Sequence, residues 1–220
     1  MTVHVGAWEE LQPFMRELQS DDALLMYTAG GPGHEPPFTL LLEPWALDVA
    51  TELHRRFGDA VELHVGAMTF PGRRIVPSSV EPRPSILIEP DDITVNLEGP
   101  NEVRSGMTLN TDMRLHNHTD AGVDIHSQGE WTDTRLVDLD TGDIVGGYKG
   151  YIPRQADIKP RTVFQLHPHG SVLIPLTVGT ASTVPELGYA VPAGKWGLVA
   201  YLWFAGHEYV RTPPMPFTVT

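Results

Sequence analysis

His116 and His118 stand two residues apart, and so do His167 and His169 across Pro168. In a strand, an i, i+2 pair puts both imidazoles on one face, the arrangement that His-x-His metal sites use. His126 follows Asp120 and Asp124 and adds a fifth imidazole. A zinc enzyme needs three protein ligands and a reacting water. Neither a thiolate nor a His-Glu-x-x-His pattern accompanies these histidines. Ten histidines in 220 residues also pair by chance. The expectation is polar imidazoles in exposed turns, with no cofactor and no metal needed for folding.

Asp140-Thr141-Gly142 is the triplet that carries the catalytic carboxylate of aspartic proteases, which need two such carboxylates sharing one proton. One triplet is present. It reads as a hairpin turn, with Gly142 at positive φ and Asp140 as the cap. Counted as an EF-hand from Asp138, the positions that require Gly and Glu hold Asp143 and Lys149. Gly30-Gly31-Pro32-Gly33 lacks the Lys-Ser/Thr of a P-loop and the spacing of a dinucleotide fingerprint. No Gly-x-Ser-x-Gly elbow occurs.

Binding is carried by other residue types. Residues 149–161 are the one locally basic stretch, and Lys149, Tyr151, Arg154, Lys159 and Arg161 are its candidate contacts with a protein partner. Trp131, Tyr148, Tyr189, Trp196, Tyr201 and Trp203 crowd the second half, where aromatics lined up in a groove would stack on sugar rings. Tyr201 and Trp203 share one face of a strand whose other face holds Leu198, Ala200, Leu202 and Phe204. A strand apolar on both faces is covered on both. One side is expected to be core, and the other to lie under the N-terminal elements.

Composition narrows the partners. The net charge is −13, with 28 acids against 15 Lys and Arg spread along the chain. Binding nucleic acid needs clustered cations, and anionic lipid repels such a chain. The absence of cysteine excludes disulfides, thiolate metal sites and Cys nucleophiles. The N-terminus shows neither a basic n-region nor an apolar h-region, so a cytoplasmic location is expected.

The elements that must position these residues follow from two periods. Residues 105–119 alternate, with Met107, Leu109, Met113 and Leu115 on one side and Thr108, Asn110, Asp112, Arg114 and His116 on the other. Similar short runs continue to the C-terminus: 93–97, 121–126, 134–139, 143–148, 163–166, 171–178, 196–204 and 209–220. They predict two packed antiparallel sheets over 90–220, with Leu109, Met113, Leu115, Leu136, Leu173, Leu198, Leu202 and Phe204 buried. Upstream, helical spacing marks 6–19, with acids in its first turns, and 44–57, opened by Pro44 and closed by Gly58. Strands are expected at 23–28, 38–42 and 60–70. Residues 1–70 thus form an α+β unit of order α-β-β-α-β, and 71–89 a Pro-rich linker.

The landmarks of 100–220 resemble a family. Asn117-His118-Thr119 closes a strand, and Ser127-Gln128-Gly129-Glu130-Trp131-Thr132-Asp133 follows. The 138–142 hairpin, Leu166-His167-Pro168-His169-Gly170-Ser171 and Pro192-Ala193-Gly194-Lys195-Trp196 come next. That order is similar to the immunoglobulin-like domain of the intracellular proteinase inhibitor family of bacilli. The family has Pro-Gly-Glu or Pro-Gly-Ser where this chain has Pro-His-Gly-Ser. The resemblance implies an all-β immunoglobulin-like antiparallel sandwich and a non-catalytic, inhibitor-like role against a protein partner. Two other readings stay open: a sugar- or metal-binding protein, and a hydrolase with its site between the domains.

Overall fold

Two periods of apolar residues build two different layers. A computed structural model of the chain describes residues 3–29, 38–76, 85–127, 132–148, 162–204 and 208–220. Helix α1 (Val3–Ser20) runs through Pro13 and starts three residues earlier than expected, so Glu9 and Glu10 fall in its second turn. Its Leu11, Met15 and Leu18 are buried at spacings of four and three. Strands β1 (Leu24–Ala29) and β2 (Phe38–Leu42) pair antiparallel.

Helix α2 spans Leu47–Phe57. It begins later than the expected 44 because Pro44 and Trp45 form the turn that leads into it. The Gly58 N–H bonds the His54 carbonyl and closes it. Ala50 and Leu53 are buried, and Glu52 pairs with Arg55 on the exposed side at 2.6 Å. The expected strand 60–70 is two strands, β3 (Val61–Val65) and β4 (Met68–Phe70), paired antiparallel about Gly66. Gly66 has φ +57, a conformation side chains rarely adopt, and a Cβ there would stand 2.9 Å from the Ala181 Cβ. The sheet order is β1-β2-β3-β4, with β2 and β3 parallel across α2. Both helices and this sheet share one core.

The later strands are β5 (Ile86–Leu87), β6 (Ile93–Leu97), β7 (Glu102–Val103), β8 (Thr108–Asn117), β9 (Val123–Ser127), β10 (Asp133–Val137), β11 (Ile144–Tyr148), β12 (Thr162–Leu166), β13 (Ser171–Gly179), β14 (Ala181–Ser182), β15 (Gly194–Phe204), β16 (Glu208–Arg211) and β17 (Met215–Val219). The chain is mostly β, in mixed and antiparallel sheets. β6, β8 and β13 form a three-stranded antiparallel sheet with β8 central. A larger sheet runs β12-β9-β15-β10-β11-β14, with β16 and β17 also paired to β15. It departs from the expected all-antiparallel pattern, because the two-residue strands β5 and β7 add parallel to β16 and β17. β5 itself comes from the segment read as linker. The expected strand 209–220 is divided into β16 and β17, since Pro213 and Pro214 supply no N–H for a ladder.

The two sheets bury one shared core that includes Met113, Leu115, Ile125, Leu136, Ile174 and Leu202. Leu198 belongs to it, and Leu109 and Phe204 pack against it half-buried. Leu173 contradicts the expectation and is 45% exposed. On β13 the buried set is Ile174, Leu176 and Val178, so period two turns Leu173 to the wet face, opposite Arg114. Met107 is also exposed, because it lies before β8 in a turn whose N–H bonds the Arg104 carbonyl. The side of the sandwich is closed by hydroxyls. Thr132 and Thr134 Oγ1 donate to the Pro175 and Thr177 carbonyls at 3.2 and 2.8 Å. That edge of β13 accommodates Pro175, which has no N–H to satisfy.

Tyr201 and Trp203 are expected beneath the N-terminal elements, but among the described residues the N-terminal core includes neither. It takes in Tyr189 instead, from the segment between β14 and β15. The Tyr189 ring centre is 5.8 Å from that of Phe70, and the Arg73 guanidinium is 5.7 Å away. Burial pushes the Tyr189 phenol up, with Arg73 opposing it. Tyr201 packs with Val137 and Val199, a cluster that contains no residue before 137 among the described residues.

Leu53→Ala should cost about 2–5 kcal/mol in a urea titration, the loss of a buried Leu with its cavity. Glu52→Ala should leave the midpoint close to wild type, because its ion pair is exposed. Equal effects would mean that the apolar stripe of α2 is not core.

Candidate functional site

Ile125, Leu202 and Val210 point into the shared core, so their strand neighbours point away from it. Backbone pairing sets Val163 opposite His126, His126 opposite Trp203, and Trp203 opposite Tyr209. The result is one row of side chains across β12, β9, β15 and β16, on the outer face of the large sheet. Val163 is 46% exposed. His126, Trp203 and Tyr209 are half-buried. The His126 and Trp203 rings are 6.4 Å apart and tilted by 57°. His126 Nδ1 is buried and has no hydrogen-bond partner among the described residues.

Next to the row, Tyr201 is buried with Val137 and Val199, flanked by Ile144 and Tyr209. The Arg135 guanidinium lies 5.8 Å from the Tyr201 ring centre, within reach of a cation–π attraction. Two residues further along β9 and β12, Asp124 faces Gln165. These two, with Val123, Leu166, His167 and Phe204, line a cleft of about 480 Å³. The outer face thus carries an apolar and aromatic strip, and the cleft lies at its end, between the outer-facing Asp124 and Gln165 and the core-facing Val123, Leu166 and Phe204. The chemistry of this face is burial of apolar area and hydrogen bonding at the cleft.

The other four candidate histidines, His116, His118, His167 and His169, lie around one end of the sandwich. His116 and His118 have ring centres 4.6 Å apart at 76°. His116 Nδ1 is 2.9 Å from Ser171 Oγ, and His118 Nε2 meets Thr94 Oγ1. His169 Nε2 is 2.8 Å from Asp120 Oδ1. The loops carrying His118 and His167 are tied together by Asn117, which is fully buried. Its Nδ2 donates to the Ala121 and His167 carbonyls, and its Oδ1 accepts from the Thr119 N–H and hydroxyl. Among the described residues, no group of three or more His, Cys, Asp or Glu side chains converges as a metal-ligand set.

Lys149, Tyr151, Arg154, Lys159 and Arg161 lie outside the described residues, as do Trp131 and the 30–33 glycine loop. Val163 and Tyr209 were not singled out from sequence, nor were Thr94 and Ser171 as imidazole partners. Their alternation was visible, but which strands lie side by side was not. Among the described residues no helix is long and apolar enough to cross a membrane.

No family model matches this chain, and no curated protein does. It is similar to a mutant β-glucosidase from Listeria innocua in complex with laminaribiose, at 11% identity and TM-score 0.30 over 59% of this chain and 16% of that one. It is similar to a PapD-like domain of human CEP192, at 13% identity and TM-score 0.26 over 64% of this chain and 96% of that one. A third match is the CooA pilin subunit of enterotoxigenic Escherichia coli, at 10% identity and TM-score 0.24 over 58% and 97% of the two chains.

The 138–142 hairpin is capped by Asp138, not by Asp140 as expected. Asp138 Oδ1 accepts the N–H groups of Thr141 and Asp140, each at 2.9 Å, and Gly142 sits at φ +77. Those backbone bonds, Thr141 first, hold the Asp138 carboxyl below its usual range. A lowered carboxyl stabilises the fold above its unfolded pKa of about 3.9, and that contribution fades as pH falls through the lower folded value. Asp138→Ala should lower the urea midpoint at neutral pH, and the gap from wild type should narrow in acid. A gap of constant size at both pH values would show that the carboxylate charge is not what holds the turn.

Proposed function

We propose that this chain is a non-catalytic binding protein whose partner is another protein, docked on the outer face of the large sheet. The observation that carries the reading is the Val163–His126–Trp203–Tyr209 row. Aromatic side chains contribute large contact area at little conformational cost, and Trp and Tyr dominate the energetics of protein interfaces. The row also lies away from the core that α1, α2 and Tyr189 build. The immunoglobulin-like architecture and the inhibitor-like role implied by the family resemblance belong to this proposal, as does a cytoplasmic location. So do Lys149, Tyr151, Arg154, Lys159 and Arg161, a basic stretch in an acidic chain that would steer an acidic partner.

The experiment compares two equally exposed apolar residues on different sheets. A partner is captured from the native host with the wild-type chain and its affinity measured. Val163→Glu should weaken association by about tenfold or more, the size of an interface hot-spot loss. Leu173→Glu, on the wet face of the three-stranded sheet, should leave it unchanged. The Arg154→Glu, Lys159→Glu double variant should slow association and flatten its salt dependence without changing stability. Loss of binding in Leu173→Glu with Val163→Glu unaffected would assign the interface to the other sheet.

A further inference from the structure

We propose that His116 and His118 form an open, two-imidazole site for a divalent ion, Cu2+ before all others. Three observations converge. The first is ring spacing. With a metal–nitrogen bond of about 2.0 Å and about 1.15 Å from nitrogen to ring centre, two imidazoles on one ion have centres about 4.5 Å apart at a right angle and about 5.1 Å apart at the tetrahedral angle. The observed 4.6 Å falls within this range, so one ion can be held by both rings, and among divalent ions on imidazole donors Cu2+ binds most tightly.

The second is the hydroxyl on each ring. With Nδ1–H of His116 donating to Ser171 Oγ, the lone pair of that ring lies on Nε2. With Nε2–H of His118 donating to Thr94 Oγ1, the lone pair lies on Nδ1. Metal-bound imidazoles are oriented by such outer hydrogen bonds on the nitrogen that does not ligate. The third is charge. Arg114 precedes His116 by two residues on the same face of β8, where its cation would repel an ion. Its guanidinium is bound instead to the Glu98 carboxylate, at 2.7 and 3.4 Å. His116 is half-buried and His118 exposed, so solvent can complete the coordination. The ion adds nothing the core needs.

The test uses the full-length untagged chain, stripped with a chelator and titrated near neutral pH with Cu2+, Ni2+, Zn2+ or Mg2+ alone. Calorimetry should give one Cu2+ per chain, weaker binding of Ni2+ and Zn2+ in the order of the divalent series, and none of Mg2+. The electron paramagnetic resonance spectrum of the Cu2+ form should be tetragonal with two nitrogen donors. His116→Ala and His118→Ala should each lower Cu2+ affinity by about tenfold or more, and the Thr94→Val, Ser171→Ala double variant by about tenfold through the outer bonds. His169→Ala should leave it unchanged. All five positions lie outside the core, and circular dichroism verifies the fold of each variant. Undiminished Cu2+ affinity in the His116→Ala, His118→Ala double variant overturns the site. An equal loss in His169→Ala overturns it as well.

Discussion

Strand β15 must satisfy two edges and two faces at once, and the large sheet depends on its doing so. One edge bonds β10 and then β9, and the other bonds β17 and then β16. One face carries Leu198, Ala200 and Leu202, at 0–2% exposure, into the core shared with the three-stranded sheet. The other carries Val199, Tyr201 and Trp203 outward. A slip of one residue would exchange these sets, placing a Tyr and a Trp where the core holds Ala200 and Leu202. The outer aromatic row is therefore not separable from the fold, because the same register that buries Leu202 presents Trp203.

The N-terminal layer meets the sandwich through shape and polar anchoring. Ala67 and Ala181 form a small buried pair beside Gly66. Tyr189 is the large side chain that crosses into the N-terminal core. The segment that presents it is anchored by Ser105 Oγ donating to the Val191 carbonyl at 2.7 Å and by Thr180 Oγ1 donating to the Met107 carbonyl at 2.9 Å. This junction occupies the end of the sandwich near β14, and the outer face of β15 stays outside that core.

Local pattern carried much of the fold. Period two in 108–117, the stripe of Leu11, Met15 and Leu18, and the Gly58 stop were legible because each depends on residues within one turn or strand. The misreadings were about partners. Leu173 is apolar in an alternating strand, and only pairing with β8 decides that Ile174 and Leu176 are the buried phase. Among the described residues the apolar neighbours of Tyr201 are Val137, Val199, Ile144 and Tyr209, and a strand apolar on both faces says that it is covered, not by what. Gly66 split a strand that composition left continuous. For the candidate site the same limit applies. His126 was visible as a histidine, but its place between Val163 and Trp203 is a property of sheet order. The His116 and His118 pair was visible by spacing, whereas Thr94 and Ser171 are brought to it from 24 and 55 residues away.

Amide hydrogen exchange of the chain, free and bound to the partner captured with it, tests the central claim most directly. The outer face of the large sheet is read as the binding face, so binding should slow exchange in β9, β12 and β16 and leave β6, β8 and β13 unchanged. Slowed exchange confined to the three-stranded sheet, with β9 and β12 unaffected, would contradict it.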